Sequence, residues 1–224
     1  MVHEVNGIER IRISSIEPTF LTEDVVKELA QLPKMCRHHH VSLQSGCDET
    51  LKRMGRRYTI SDYREVVERL RKYIPDVAIT TDIMVGFPSE TDEEFEKSYK
   101  FAEEVCFSKI HVFKYSRRKG TRAYNFPNQI PNRIKEKRSK EFLELSKICE
   151  KKFMERFLNK TVEVLFEQKV KGLEGYVEGL TDNYLPVAVK GDLEVLRNHI
   201  LPVKIREIKN DLLIGEIEGI YEDV

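Results

Sequence analysis

Asp76-Val-Ala-Ile-Thr-Thr-Asp-Ile-Met-Val85, Gly86-Phe-Pro88 and Thr91-Asp-Glu-Glu94 spell a strand, a turn and a helix start in immediate succession. The first stretch is dense in Val, Ile and Thr, whose branched side chains suit a pleated surface. Gly86 and Pro88 interrupt it. Thr91 and Glu94 then stand three apart, so each side chain can take up the other's free amide, a capping box. The helix that follows carries Phe95, Tyr99 and Ala102 on one face. A strand feeding directly into a helix is the unit of a parallel α/β sheet.

The same alternation extends outward. Ile11–Ser14 reads as a strand, and Thr22 caps a helix bearing Val25, Val26, Leu29 and Leu32 that stops near Pro33. His39–Leu43 reads as a second strand with its turn at Gly46; a short helix through Leu51 and Met54 breaks at Gly55, and a longer one follows Ser61. Downstream, Ile110–Tyr115 is the fourth strand. Asn132 opens a long helix striped with Phe142, Leu145, Cys149, Phe153 and Phe157. After Leu158 the pattern changes to short strands, at 161–166, 175–177, 185–189, 203–205 and 212–214, separated by Gly, Asn and Asp. This predicts α/β architecture over residues 1–158 and a small all-β, OB-like barrel over 159–224.

Of the 224 residues 40% are hydrophobic and 34% charged, a globular balance. No apolar run approaches the ~20 residues of a membrane span. The first residues have neither a basic flank nor an apolar stretch, so no signal peptide is expected and the cytoplasm is the expected compartment. Cys36, Cys47, Cys106 and Cys149 form no CxxC or CxxxCxxC cluster, so no metal site is expected. Net charge is zero, yet Lys109–Lys140 holds eleven Lys and Arg against one acid. Such a run suits a polyanion or a solvated linker and helix equally well.

Ligands of parallel α/β sheets bind at the carboxyl ends of the strands. Those ends carry Ser14, Ser15 and Glu17, then Gln44, Ser45 and Gly46, then Gly86 to Pro88 with Asp82 within the strand, then Ser116, Arg117 and Gly120. Hydroxyls, carboxylates, an amide and glycines at one sheet end suit a nucleoside-like molecule, although Gly and Ser also simply make turns. In the run His38-His39-His40 at most His38 and His40 share a face, which suits packing or substrate contact better than a metal. Arg53, Arg56 and Arg57 could each fork onto a carboxylate or face solvent. No P-loop or GxGxxG occurs.

Arg12-Ile-Ser-Ser-Ile-Glu-Pro18, Val41-Ser-Leu-Gln-Ser-Gly46, Leu51-Lys-Arg-Met-Gly-Arg-Arg-Tyr58, Thr81-Asp-Ile-Met-Val-Gly-Phe-Pro-Ser-Glu90 and His111-Val-Phe-Lys-Tyr-Ser116 follow one another in the order and spacing of a known family. Together they resemble the second half of the radical S-adenosylmethionine (SAM) domain of tRNA methylthiotransferases, most similar to the branch acting on threonylcarbamoyladenosine beside the anticodon. The tail, with Gly179-Leu-Thr-Asp-Asn-Tyr184, resembles that family's TRAM domain. Ser89 and Lys114 depart from it, standing where Gly and Pro are usual.

The resemblance implies the last four strands of a partial (β/α) barrel, followed by an OB-like TRAM barrel. It implies SAM and 4Fe–4S clusters as cofactors, with cluster ligands expected upstream of Met1, so that the chain alone would not start the reaction. Ser15, Glu17, Gln44, Arg57, Asp82, Val85, Gly86 and Phe87 are the implied SAM contacts; no catalytic residue is assigned. tRNA is the implied partner, with phosphate contacts on Arg117, Arg118, Lys119, Arg122, Lys169, Lys171, Lys190, Lys204 and Arg206. An exposed sheet edge implies association with the missing half. The isopentenyladenosine enzyme, the ribosomal-protein relative and a tRNA-binding module without catalysis are the alternatives.

Overall fold

The computed structural model describes residues 2–219. They fall into two compact units, one of residues 12–33 and 39–150, the other of residues up to 11, 34–38 and from 151 onward.

The first unit is a four-stranded sheet in the order β1 (Ser15–Ile16), β2 (His38–Val41), β3 (Ala78–Val85) and β4 (Lys109–Lys114), with parallel pairing of β1 to β2 and of β3 to β4. Its helices are α1 (Glu23–Gln31), α2 (Asp48–Met54), α3 (Ile60–Tyr73), α4 (Asp92–Val105) and the long α5 (Asn132–Glu155). Val41, Leu43, Ile79, Ile83, Val85 and Ile110 alternate onto one sheet face and join Val26, Tyr63, Leu70, Phe101 and Phe142 in a single core. Two buried hydroxyls lock it: Tyr63 donates to Val41 O at 2.7 Å, and Thr81 donates to the same carbonyl at 2.6 Å.

Helix starts follow local chemistry. Thr22 accepts from Val25 N, and Thr91 with Glu94 closes the expected capping box. The cap of α3 is Thr59 rather than a residue near Ser61, because Thr59 and Asp62 make their own reciprocal box. The first strand also differs from expectation. Ile11 makes only an isolated bridge to Met35, and the strand of the sheet is the two-residue β1. The reason is that the chain changes unit after Ile11: its backbone bonds go to Lys34 and Cys36, whereas Ile16 O accepts from Ser42 N within the sheet.

The second unit centres on a closed five-stranded barrel, β5 (Thr161–Lys169), β6 (Tyr176–Thr181), β7 (Pro186–Lys190), β9 (Leu212–Ile217) and β8 (Ile200–Lys209), in that order around the barrel. Val164, Phe166, Val177, Val187, Val203 and Leu213 fill it. Gly179 and Gly215 sit where a Cβ would collide with the neighbouring strand. A one-turn helix, α6 (Leu193–Leu196) capped by Asp192, was not legible because four residues show no period. Arg10 donates to Leu180 O at 2.7 Å and to Glu163 O at 3.0 Å, and Arg37 makes a two-pronged pair with Asp182, so the two early segments are bound to barrel strands and turns.

His39 lies on the core side of β2, fully buried, with neither ring nitrogen hydrogen-bonded among the described residues. Burial pushes its pKa down to about 4. Below ~6.5 the unfolded chain therefore binds a proton that the folded chain refuses until near pH 4. Stability is expected to fall by up to about 3 kcal/mol as pH drops through that window. Urea midpoints measured against pH should show this slope, and His39→Phe should flatten it.

Candidate functional site

The ends of β2 and β3 are held in defined conformations. Gln44 follows β2 with φ +68°, its N–H donating to Asp82 O and its carbonyl accepting from Met84 N. A non-glycine residue held there costs of order 1–2 kcal/mol, so the cross-strand bonds must hold it. Ser45, next in line, is buried, and its hydroxyl has no partner among the described residues. After β4, the hydroxyl of Tyr115 is also buried and unpartnered, its ring edge-on to Phe87 at 5.2 Å. Two orphaned buried hydroxyls at the same sheet end are polar groups that a ligand could satisfy.

Gly86 turns the chain after β3 with φ +71°. The stem of Lys135 crosses it closely enough that a Cβ would collide with that side chain. The Lys135 ammonium donates to Tyr115 O at 2.9 Å, and burial holds its pKa below the usual lysine value. Glu90 is buried and accepts from Gly86 N at 2.6 Å and from Arg138 at 2.5 Å; burial raises its pKa against those two interactions. Arg138 also reaches Asp92 at 2.7 Å. The turn 86–90 is thus clamped from α5. Two members of the basic run 109–140, Lys135 and Arg138, are consequently spent inside the protein.

The other sheet face is polar. Ser15 is in register with His40, and Asp82 with His111. His40 Nε2 lies 3.3 Å from Asp82, its Nδ1 3.0 Å from Thr80 Oγ1, and its ring centre 5.6 Å from that of His111. Burial, then His40, lowers the His111 pKa. Asp82 and the run containing His40 both stand out in the sequence; that His111 joins them is set by strand register, which no local pattern shows.

Among the other expected contacts, Glu17 is exposed and paired with Arg56 at 3.0 Å, while Arg57 is exposed. Arg53 is taken by Glu94. Val85 and Phe87 are buried at the end of β3. Arg118, Lys119 and Arg122 are exposed in the loop after β4, and Arg117 lies over the Tyr124 ring at 4.3 Å. In the barrel unit Lys169, Lys171 and Lys190 are exposed and Lys204 half-buried. Arg206 pairs with Glu216 at 2.9 Å, beside a groove of about 550 Å³ that Lys190 and Tyr176 also line.

Among the described residues no three His, Cys, Asp or Glu side chains converge as a metal-ligand set. Cys36, Cys47 and Cys149 are buried and Cys106 half-buried, and none of the four is in a disulfide. The residues present therefore do not fit an iron–sulfur cluster. No helix of the described residues is long and apolar enough to cross a membrane.

Residues 1–102 match the Radical SAM superfamily. Coproporphyrinogen III oxidase (HemN) from Escherichia coli, a radical SAM enzyme, matches with a TM-score of 0.53 at 16% identity, over 62% of this chain and 32% of that one; the likeness is one of fold. In sequence the chain is 37% identical over 221 residues to the threonylcarbamoyladenosine tRNA methylthiotransferase MtaB of Bacillus subtilis, covering 98% of this chain and 49% of that protein. It is 40% identical to the Chlamydia pneumoniae protein of the same name, covering 96% and 51%. It is 38% identical to the tRNA-2-methylthio-N(6)-dimethylallyladenosine synthase of Clostridium tetani, covering 96% and 47%. The chain is thus similar along nearly its whole length to radical SAM tRNA methylthiotransferases, and spans about half the length of the curated relatives it matches.

Two substitutions in the clamped turn should act in opposite directions. Gly86→Ala adds a Cβ at positive φ against Lys135 and should destabilise by at least 1–2 kcal/mol. Ser89 also has positive φ, +64°, and only long side-chain contacts at 3.4 and 3.5 Å. Ser89→Gly should leave stability unchanged or raise it by up to about 1 kcal/mol. Denaturant midpoints of the two variants check both.

Proposed function

We propose that this chain is the carboxyl-terminal portion of a radical SAM methylthiotransferase that places a methylthio group on carbon 2 of N6-threonylcarbamoyladenosine beside the tRNA anticodon. The observation that carries the reading is the 37–40% identity to tRNA methylthiotransferases across 96–98% of the chain. The strand-end geometry supports it. The orphaned Ser45 and Tyr115 hydroxyls, the strained Gln44 and the close-approach Gly86 suit SAM, which supplies the methyl group and the radical initiator when bound. Ser15, Glu17, Gln44, Arg57, Asp82, Val85, Gly86 and Phe87 are the residues proposed to hold it. The cluster finds no ligand set among the described residues.

The domains proposed are the radical SAM portion at 1–158 and a TRAM domain at 159–224. The barrel order β5-β6-β7-β9-β8, with the short helix α6 between β7 and β8 in the chain, supports the OB-like reading. Exposed Arg118, Lys119, Arg122, Lys169 and Lys171, together with Arg117, Lys190, Lys204 and Arg206, are the proposed phosphate contacts.

The dimethylallyladenosine synthase relatives make that base the competing substrate. Nucleosides released from tRNA of cells with and without the intact gene separate the two. Loss of the methylthio form of threonylcarbamoyladenosine alone is the expected outcome. Loss of the methylthio form of dimethylallyladenosine instead would overturn the substrate reading.

A further inference from the structure

The strand-end loops and Asp82 account for a cofactor, but they leave His40 and His111, which flank Asp82 on the polar face, without a task. His40 is engaged through both ring nitrogens, by Thr80 and by Asp82. His111 is different. It is exposed, packs beside His40, and among the described residues has no hydrogen-bond partner on either nitrogen. Alternation along β4 puts Lys109 and Phe113 on the same face as His111, with Phe113 51% exposed. The Lys109 ammonium is 3.4 Å from Glu150 of α5, so its charge is partly answered. The face therefore offers an imidazole free to donate, a carboxylate held in place by a second imidazole, and an exposed aromatic ring.

We propose that His111, positioned by the His40–Asp82 pair, recognises the carboxylate-bearing substituent on N6 of the substrate base. The inference rests on the substrate reading above and adds which residue reads it. A threonylcarbamoyl group presents a carboxylate, a hydroxyl and a carbamoyl. The His111 N–H can donate to that carboxylate, and an Asp82 oxygen can accept from the hydroxyl. A dimethylallyl group presents hydrocarbon alone. Seated here, it would strip water from His111 and Asp82 and return no hydrogen bond. Leaving buried polar groups unpaired in this way discriminates far more strongly than a change in apolar contact. Phe113 is placed to meet the flat face of the base.

The test is equilibrium binding of the 224-residue chain to three otherwise identical anticodon stem-loop RNAs, carrying threonylcarbamoyladenosine, dimethylallyladenosine or plain adenosine. Wild-type chain is expected to favour the first over the other two by about tenfold or more. His111→Phe should bring that ratio close to one, and His111→Gln, which keeps a donor, should restore part of it. Unfolding midpoints of both variants confirm that they fold; His111 is exposed, so both should. Equal wild-type affinity for the three RNAs would overturn the inference while leaving tRNA binding intact. A preference that survives in His111→Phe would overturn it as well. Failure to bind any of the RNAs would remove the substrate reading itself, and the inference with it.

Discussion

A buried carboxylate, Glu90, takes up the N–H of Gly86 at 2.6 Å and the guanidinium of Arg138 at 2.5 Å, and Arg138 reaches on to Asp92 at the first turn of α4. Through this one ion pair the end of β3, the start of α4 and the body of α5 are fixed to one another. Burying two charges is expensive, and breaking such a pair from one side costs ~3–5 kcal/mol, so the arrangement tolerates little drift. Its consequence is positional. Gly86 is held against the Lys135 stem, Lys135 holds Tyr115 O, and Phe87 is held edge-on to Tyr115. The carboxyl ends of β3 and β4 are thereby set before any ligand arrives, which is the pre-organisation a binding site requires.

The two faces of the sheet then divide the work. One face, through Val41, Ile79, Ile83 and Ile110, builds the core and supplies stability. The other carries His40, Thr80, Asp82 and His111, whose polarity contributes nothing to a core and which lie within contact of one another. Because side chains alternate along a strand, one stretch such as Thr80–Val85 serves both purposes at once. The relatives named for threonylcarbamoyladenosine and for dimethylallyladenosine match this chain almost equally well. Under the proposal above, the choice between the two bases falls to a few side chains on the polar face rather than to overall identity.

Much of this was legible in the sequence. The Thr91–Glu94 capping box, the strand read over Asp76–Val85 and the change from helix to short strands after Leu158 are local signals; the structure shows the box as read, the strand at Ala78–Val85 and the first barrel strand from Thr161. The strand expected at Ile11–Ser14 failed because its alternation says nothing about which unit its backbone bonds will join. The cap of α3 was misplaced by two residues because both Thr59 and Ser61 are competent capping residues and only the reciprocal Asp62 bond decides between them. At the site, the strand-end residues could be named in advance, but the His40–Asp82–His111 row could not. It depends on register between strands some forty and thirty residues apart in the chain, which no local pattern encodes. Ser89 is the converse case: a departure from the family's glycine that the sequence flagged and that the structure shows at φ +64°.

The central claim is that the strand ends of this sheet form the cofactor site, and amide hydrogen exchange of the chain with and without S-adenosylhomocysteine tests it most directly. The account predicts slowed exchange concentrated at Gln44–Gly46 and Val85–Phe87, with the barrel strands from Thr161 onward unaffected. Protection confined to the barrel, or none at saturating ligand, would contradict it.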